Sequence, residues 1–425
     1  MERTQRIKGL ETLKANQTPY KHDDVIYRGE KKLLPVYEIP LDYLIYNKHN
    51  GRILSMVKSF ERQFRSLNPE LAEDKKVIEH FLWESKPDRN KTTLYDLKEY
   101  GQKKIGIVTK DGIIIDGNRR ASLLNRIGRE ENASPMYFKA VILDDTLEDN
   151  PKEIMRLETT YQMGEDEKLD YNPIEKYLKC KDLKAIDFQP GEIAKMMGEN
   201  VSRISEWLNI MELMDNYLDE LGYNGIYTRL DKREGQFVDL NKYLNKYENG
   251  TGLADWAYKK SDISDLKAVC FDYIRANYEG KEFRAIALPS KKESFFCKQK
   301  LWDKFRDNHF NNIDLVNNEE YTIDELRVKE PDGDLSEILK VRDDDWTNKV
   351  KGLLKGNLNK SQRVLDDINE ENAPLELLKR AKGTLELIKT DMEAFYADKD
   401  VLSLVKEINS LTWDFQQIIK QKNKE

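Results

Sequence analysis

The stretch Ile113-Ile114-Ile115-Asp116-Gly117-Asn118-Arg119-Arg120-Ala121-Ser122-Leu123-Leu124 decides how this chain is read. An apolar, β-branched run breaks at a glycine, two arginines follow, and a helix-like apolar pattern resumes. A strand that turns through Gly117 into a helix places paired cations at a helix start. Glycine lets the backbone turn closely there, so the following amides and the Arg119 and Arg120 guanidiniums can surround a phosphate oxygen. The plainer alternative is an Arg-Arg pair that opens an exposed, solvated helix.

Upstream, Asp111-Gly112 marks a hairpin whose outgoing strand is residues 105–109 and whose return strand is Ile113 to Ile115. Residues 94–100 read as a helix, 85–93 as a polar loop, and 53–84 as helical. Strand-like sequence covers 36–46 before a turn at Asn47-Lys48-His49-Asn50-Gly51, with Arg52 directly after it. Residues 1–33 are polar and lysine-rich and read as an extended arm. Downstream, 136–143 read as a strand and 144–150 as an acidic loop closing the module. Residues 173–221 form a cluster of short helices, and 231–252 are partly looped. In 262–326, Phe271, Tyr273, Phe295, Phe296, Trp302, Phe305 and Phe310 have the spacing of amphipathic helix cores. Heptad-like seams, Leu378 to Phe395 and Val401 to Ile418, are joined by the short link Ala397-Asp398-Lys399-Asp400. They suggest either a self-contained helical bundle or a dimerisation hairpin.

At 425 residues the chain has room for several domains, and 39% hydrophobic with 35% charged residues describes a folded, heavily charged protein. A net charge of −7 argues against a uniformly basic nucleic-acid wrapper but leaves room for a local basic face. Its three cysteines and four histidines lack disulfide or metal-site spacing. With no apolar leader and no run of about 18 apolar residues, the expected location is the cytoplasm and no membrane partner is expected.

A second motif occupies 191–208. Ala194 is the small residue where two helices cross, Gly198 ends the first, and Ile204 with Leu208 anchors the second, in a helix-turn-helix pattern. The second helix offers Ser202, Arg203, Ser205 and Asn209 to a DNA groove, but it also carries Glu206, with Glu199 in the turn. Other surfaces would have to add phosphate attraction. Helical pairs of the same spacing also occur in proteins that never touch DNA.

The order of these motifs resembles the ParB family of partition proteins. Ile39-Pro40-Leu41-Asp42-Tyr43-Leu44 through Asn47 to Arg52 is similar to the family's first box. Gly101-Gln102 through Asp116-Gly117-Asn118-Arg119-Arg120-Ala121 is similar to its phosphate box, usually written GERR. Leu157-Glu158-Thr159-Thr160-Tyr161-Gln162 with Asn172-Pro173-Ile174-Glu175 resembles the third, and 191–214 the helix-turn-helix. The resemblance spans about 34–221 and implies an α+β protein. A ParB/sulfiredoxin-like α/β nucleotide module (34–150) would follow the arm (1–33). A helix-turn-helix module (151–230), a mainly helical region of unassigned role (231–340) and C-terminal helices (341–425) would complete the chain.

By the same resemblance Arg52, Gly117, Asn118, Arg119 and Arg120 would hold the phosphates of CTP or ATP. Glu158 and Thr159 would lie near magnesium or the attacking water, with Glu158 the metal ligand. Asn118 stands where the family usually has glutamate and Thr159 where it has asparagine, and extra residues 164–169 precede Asn172. Nucleotide binding is therefore expected more firmly than turnover. The expectation is a nucleotide-regulated, DNA-binding homodimer of a plasmid, phage or mobile element. Alternatives are an enzyme on the same scaffold (a nucleoside triphosphatase, phosphotransferase or nuclease) and an adaptor with a vestigial phosphate site.

Overall fold

The computed structural model describes residues 1–133, 136–164, 171–250, 252–331 and 335–423. The chain divides into two compact units, Met1–Leu358 and Asn359–Glu425. The first is built on a mixed six-stranded sheet, and the protein is α+β.

The N-terminus corrects the expectation of an extended arm. Residues Arg3–Asn16 form helix α1, and Lys21–Tyr27 (β1) pairs antiparallel with Glu30–Pro40 (β2). The helix is hard to read because its main anchor besides Leu10 is a buried cation. Arg6 donates to the Asp111 carbonyl (3.0 Å), the Met1 carbonyl (2.8 Å) and Glu70 (2.7 Å).

After β2, a single 3-10 turn at Leu41–Tyr43 leads to the two-residue strand β3 (Ile45–Tyr46), so the expected continuous strand is broken. The helical stretch 53–84 divides into α2 (Leu54–Gln63) and α3 (Ala72–Glu84), and Pro69 lies in the break. Residues 85–93, expected as a loop, instead enter α4 (Pro87–Tyr100), which uses its proline at a helix start, where no amide hydrogen is needed.

Strands β4 (Gly106–Val108), β5 (Ile113–Asp116) and β6 (Tyr137–Ile142), with α5 (Asn118–Glu131) between the last two, follow the expected pattern. The sheet order is β1-β2-β6-β4-β5-β3; β2 runs antiparallel to β6, and β4 runs parallel to β6 but antiparallel to β5. The strands read as apolar runs because both faces are covered. Val108, Ile114, Ala140 and Ile142 face a core with Leu82, Leu97 and Leu124, while Ile107, Ile115 and Val141 face another with Ile154 and Leu157.

Helix α6 (Pro151–Thr159) passes into one π-turn, Thr160–Gly164, and is followed by α7 (Pro173–Ala185), α8 (Pro190–Met197) and α9 (Val201–Glu220). The expected loop at 231–252 is instead mostly α10 (Glu234–Asn249), which buries Phe237, Leu240, Leu244 and Tyr247 at helical spacing among charged residues. Helices α11 (Lys260–Arg275), α12 (Gly280–Ala287), α13 (Gln299–Asn317) and α14 (Ile323–Lys329) complete the helical half. Its aromatics are core, as expected: Phe271, Tyr273, Phe295, Phe296, Trp302 and Phe305 are buried, and Phe310 is half-buried.

Helix α15 (Leu335–Glu386) begins in this unit, where its Asp343 is the hub of a buried charge network. Asp343 accepts from Tyr223 (2.8 Å), Arg275 (3.0 Å) and Arg229, while Glu320 accepts from Arg275 and from Arg342 (3.1 Å). Burial works to raise the Asp343 carboxyl, but the Arg275 and Arg229 guanidiniums outweigh it and leave the group below its usual value.

In the second unit α15 continues through Pro374, and α16 (Glu393–Ala397) and α17 (Lys399–Lys422) follow. Phe395, Val401 and Ile408 of the seams are half-buried, and the other apolar seam positions face outward. Leu378, Leu385, Ile388, Met392, Leu404, Leu411, Phe415 and Ile418 are exposed. None of the described helices is long and apolar enough to cross a membrane.

Candidate functional site

The site grows from the end of β5. Gly117 has φ +101°, the left-handed region, and a Cβ there would sit 2.6 Å from Cζ of Phe138 in the core, so a side chain is excluded twice over. No side chain caps α5 behind it, and the first-turn amides point along the axis as a helix N-terminus requires.

Asn118 is buried, and its side chain is a latch. Its Oδ1 accepts the Asn47 amide (2.9 Å) and its Nδ2 donates to the Ile114 carbonyl (2.8 Å), pinning the turn that carries Arg52 to the β5-α5 junction. Arg119 and Arg120 are both half-buried. Arg120 donates to Asp116 (2.9 Å) and the Ile105 carbonyl (3.3 Å), so its guanidinium is committed in part to bracing the hairpin. Arg52 lies over the Tyr171 ring at 4.4 Å, and its amide donates to Asn50 Oδ1 at 3.0 Å.

The third motif closes on the same place. Gln162 accepts from the Gly51 amide (3.2 Å) and the Tyr171 hydroxyl (3.4 Å) and donates to the Ile115 carbonyl (2.7 Å), so one side chain joins β5, the Arg52 turn and the segment before α7. Glu175 is buried at the start of α2, where it accepts from Ser55 Oγ (2.5 Å) and the Ser55 amide (3.1 Å). Burial pushes its carboxyl up from 4.5 to about 7, against the Ser55 donors that favour the charged form. A folded-state value above the unfolded one means the native protein holds the extra proton, so stability falls as pH rises from about 4.5 to about 7. The difference in unfolding free energy between wild type and Glu175→Gln is expected to shift against the wild type by up to about 3 kcal/mol across that window, read from urea melts at several pH values. A pH-independent difference would contradict the assignment.

Glu158 and Thr159 are not presented to an open face. Thr159 is fully buried, and its hydroxyl donates to the Met155 carbonyl of its own helix (2.7 Å). Glu158 is buried against the equally buried Lys179 ammonium at 2.8 Å; burial raises the carboxyl and Lys179 opposes it. Among the described residues no group of three or more His, Cys, Asp and Glu side chains is placed to hold a metal ion. Glu158 and Thr159 are thus both buried and bonded within the protein.

Packed against α7, α8 and α9 form the expected pair. Gly198 ends α8 in the left-handed region (φ +60°), and Asn200 caps α9 by accepting the Arg203 amide at 2.8 Å. Ile193, Ala194, Met197, Ile204 and Trp207 are buried, with the Trp207 ring 5.7 Å from Tyr177. Ser202, Arg203, Ser205, Glu206 and Asn209 all lie exposed on the first turns of α9.

Sequence reading missed Lys179, the partner of Glu158, and the joining role of Gln162. Lys179 lies in the polar pattern of α7 and nothing in its spacing marks it as buried. Gln162 is the polar last residue of a recognised motif, which is the one signal that could have singled it out. No family model matches this sequence, and no curated protein matches it.

Proposed function

We propose that this chain is a ParB-like, nucleotide-regulated DNA-binding protein acting in partition, regulation or defence of a plasmid, phage or mobile element. The supporting observation is convergence. Motifs at 47–52, 116–120, 158–162 and 172–175, far apart in sequence, are tied around one glycine-started helix by Asn118, Gln162 and Glu175. That helix start, with Arg119, Arg120 and Arg52, has the chemistry of a triphosphate cradle. CTP or ATP would bring magnesium on its own phosphates, because Glu158 is paired with Lys179. The buried hydroxyl of Thr159 and the occupied carboxylate of Glu158 favour binding and switching over hydrolysis.

In this reading Ser202, Arg203, Ser205 and Asn209 contact DNA, and the exposed seams of α15 and α17 join two chains as a homodimer. Arg203→Ala is expected to weaken DNA binding by about 1–3 kcal/mol, measured by fluorescence anisotropy on the preferred duplex. Wild-type affinity should fall steeply with added salt. A salt-independent response near background would favour the adaptor reading instead.

A further inference from the structure

We propose that the helical half of the first unit carries a second small-molecule site, between α10, the loop after it and the start of α11, for an aromatic ring bearing phosphate, the chemistry of a nucleoside phosphate. The cleft is open to solvent, has a volume of about 1050 Å³, and is lined by residues of 244–250 and 252–267, none of which contributes to the α5 site. That volume matches ligand pockets rather than packing defects.

Its walls are rings whose polar atoms are already satisfied. The Tyr258 hydroxyl donates to the Tyr247 and Gly250 carbonyls (3.1 Å each), the Tyr247 hydroxyl to the Leu288 carbonyl (3.2 Å), and Trp256 Nε1 to the Phe296 carbonyl (2.8 Å). These three side chains therefore offer a ligand chiefly ring surface. Trp256 and Tyr258 are half-buried, 6.0 Å apart at 70°, a corner against which a flat ring packs face to one and edge to the other.

The rim is cationic. Lys259 and Lys260 are exposed and Lys267 is half-buried; of the two acids lining the cleft, Asp255 is held by Lys298 (3.4 Å) and the Gln299 amide (3.2 Å), and Glu248 is exposed, so the lysines outnumber the acids. Lysine ammoniums are mobile point charges that suit phosphate oxygens. An apolar ring slot beside a lysine rim selects a ligand with both halves. The assignment stands whether or not the α5 site binds nucleotide.

The test is calorimetric titration of the full chain carrying Arg119→Ala, which weakens the front site, with AMP, CMP, phenyl phosphate, adenosine and sodium phosphate. AMP or CMP and phenyl phosphate should bind. Adenosine and inorganic phosphate, each offering one half, should bind at least tenfold more weakly. Adding Lys259→Glu and Lys260→Glu should weaken phenyl phosphate at least tenfold with the thermal melt unchanged, and Trp256→Ala should weaken adenosine and AMP alike. Binding indifferent to the lysine reversals, equal responses to all five probes, or no response would overturn the assignment. Tighter binding of a single-stranded oligonucleotide than of any mononucleotide would likewise overturn it.

Discussion

Lys179→Met is expected to lower the unfolding free energy by about 3–5 kcal/mol, among the largest effects of any single substitution in the sheet half. Lys179 and Glu158 are each about 1% exposed and 2.8 Å apart. Removing the ammonium leaves a carboxylate with no water to solvate it, and the group must either take up a proton or open the structure. Adding Glu158→Gln to Lys179→Met removes the stranded charge and should recover at least half of the loss in urea melts. A single variant as stable as wild type would mean that water reaches Glu158, and would reopen its role as a metal ligand. The two outcomes separate a structural ion pair from a catalytic carboxylate without assuming any reaction.

Asp343→Ala should cost a similar amount, about 3–5 kcal/mol, in the helical half. Arg275 is 2% exposed, and Asp343 and Glu320 are its acidic partners, with Arg229 and Tyr223 sharing Asp343. Without Asp343, two guanidiniums converge on one place with too little negative charge between them. Because folding holds the Asp343 carboxyl below its usual value, its contribution is present above the unfolded pKa and is lost as pH falls through the folded one. The cost of Asp343→Ala should therefore shrink in acid. Equal melting curves at neutral pH would show that the network is solvated and that the N-terminal end of α15 is not anchored through it.

What the sequence made legible follows from where local chemistry and tertiary structure agree. The hairpin at Asp111-Gly112, the strand into Gly117, helix α5, strand β6 and the α8-α9 pair each combine a turn residue with an apolar period, and each formed as expected. The misreadings have a shared cause. Helix α1 is anchored by the buried charge of Arg6, α4 begins on a proline that looks like a loop signal, and α10 hides its apolar stripe among charged residues. Periodicity counts apolar side chains, so it overlooks a helix held by an arginine or opened by a proline.

The candidate site was legible at its glycine and arginines but not in its wiring. Asn118 was expected to face phosphate, yet its side chain bonds Asn47 and Ile114 inside the protein, leaving only its backbone for a ligand. Such roles depend on which polar atoms are already satisfied, and spacing carries no information about that.

The start of α5 is the proposed binding site for a nucleoside triphosphate. Its most direct test is calorimetric titration of the full chain, carrying Lys259→Glu and Lys260→Glu to silence the cleft beside α11, with CTP, ATP, GTP and UTP plus magnesium. Saturable binding of at least one of the four is expected, weakened at least tenfold by Arg119→Ala. No binding of any of them, or binding that Arg119→Ala leaves unchanged, would contradict it.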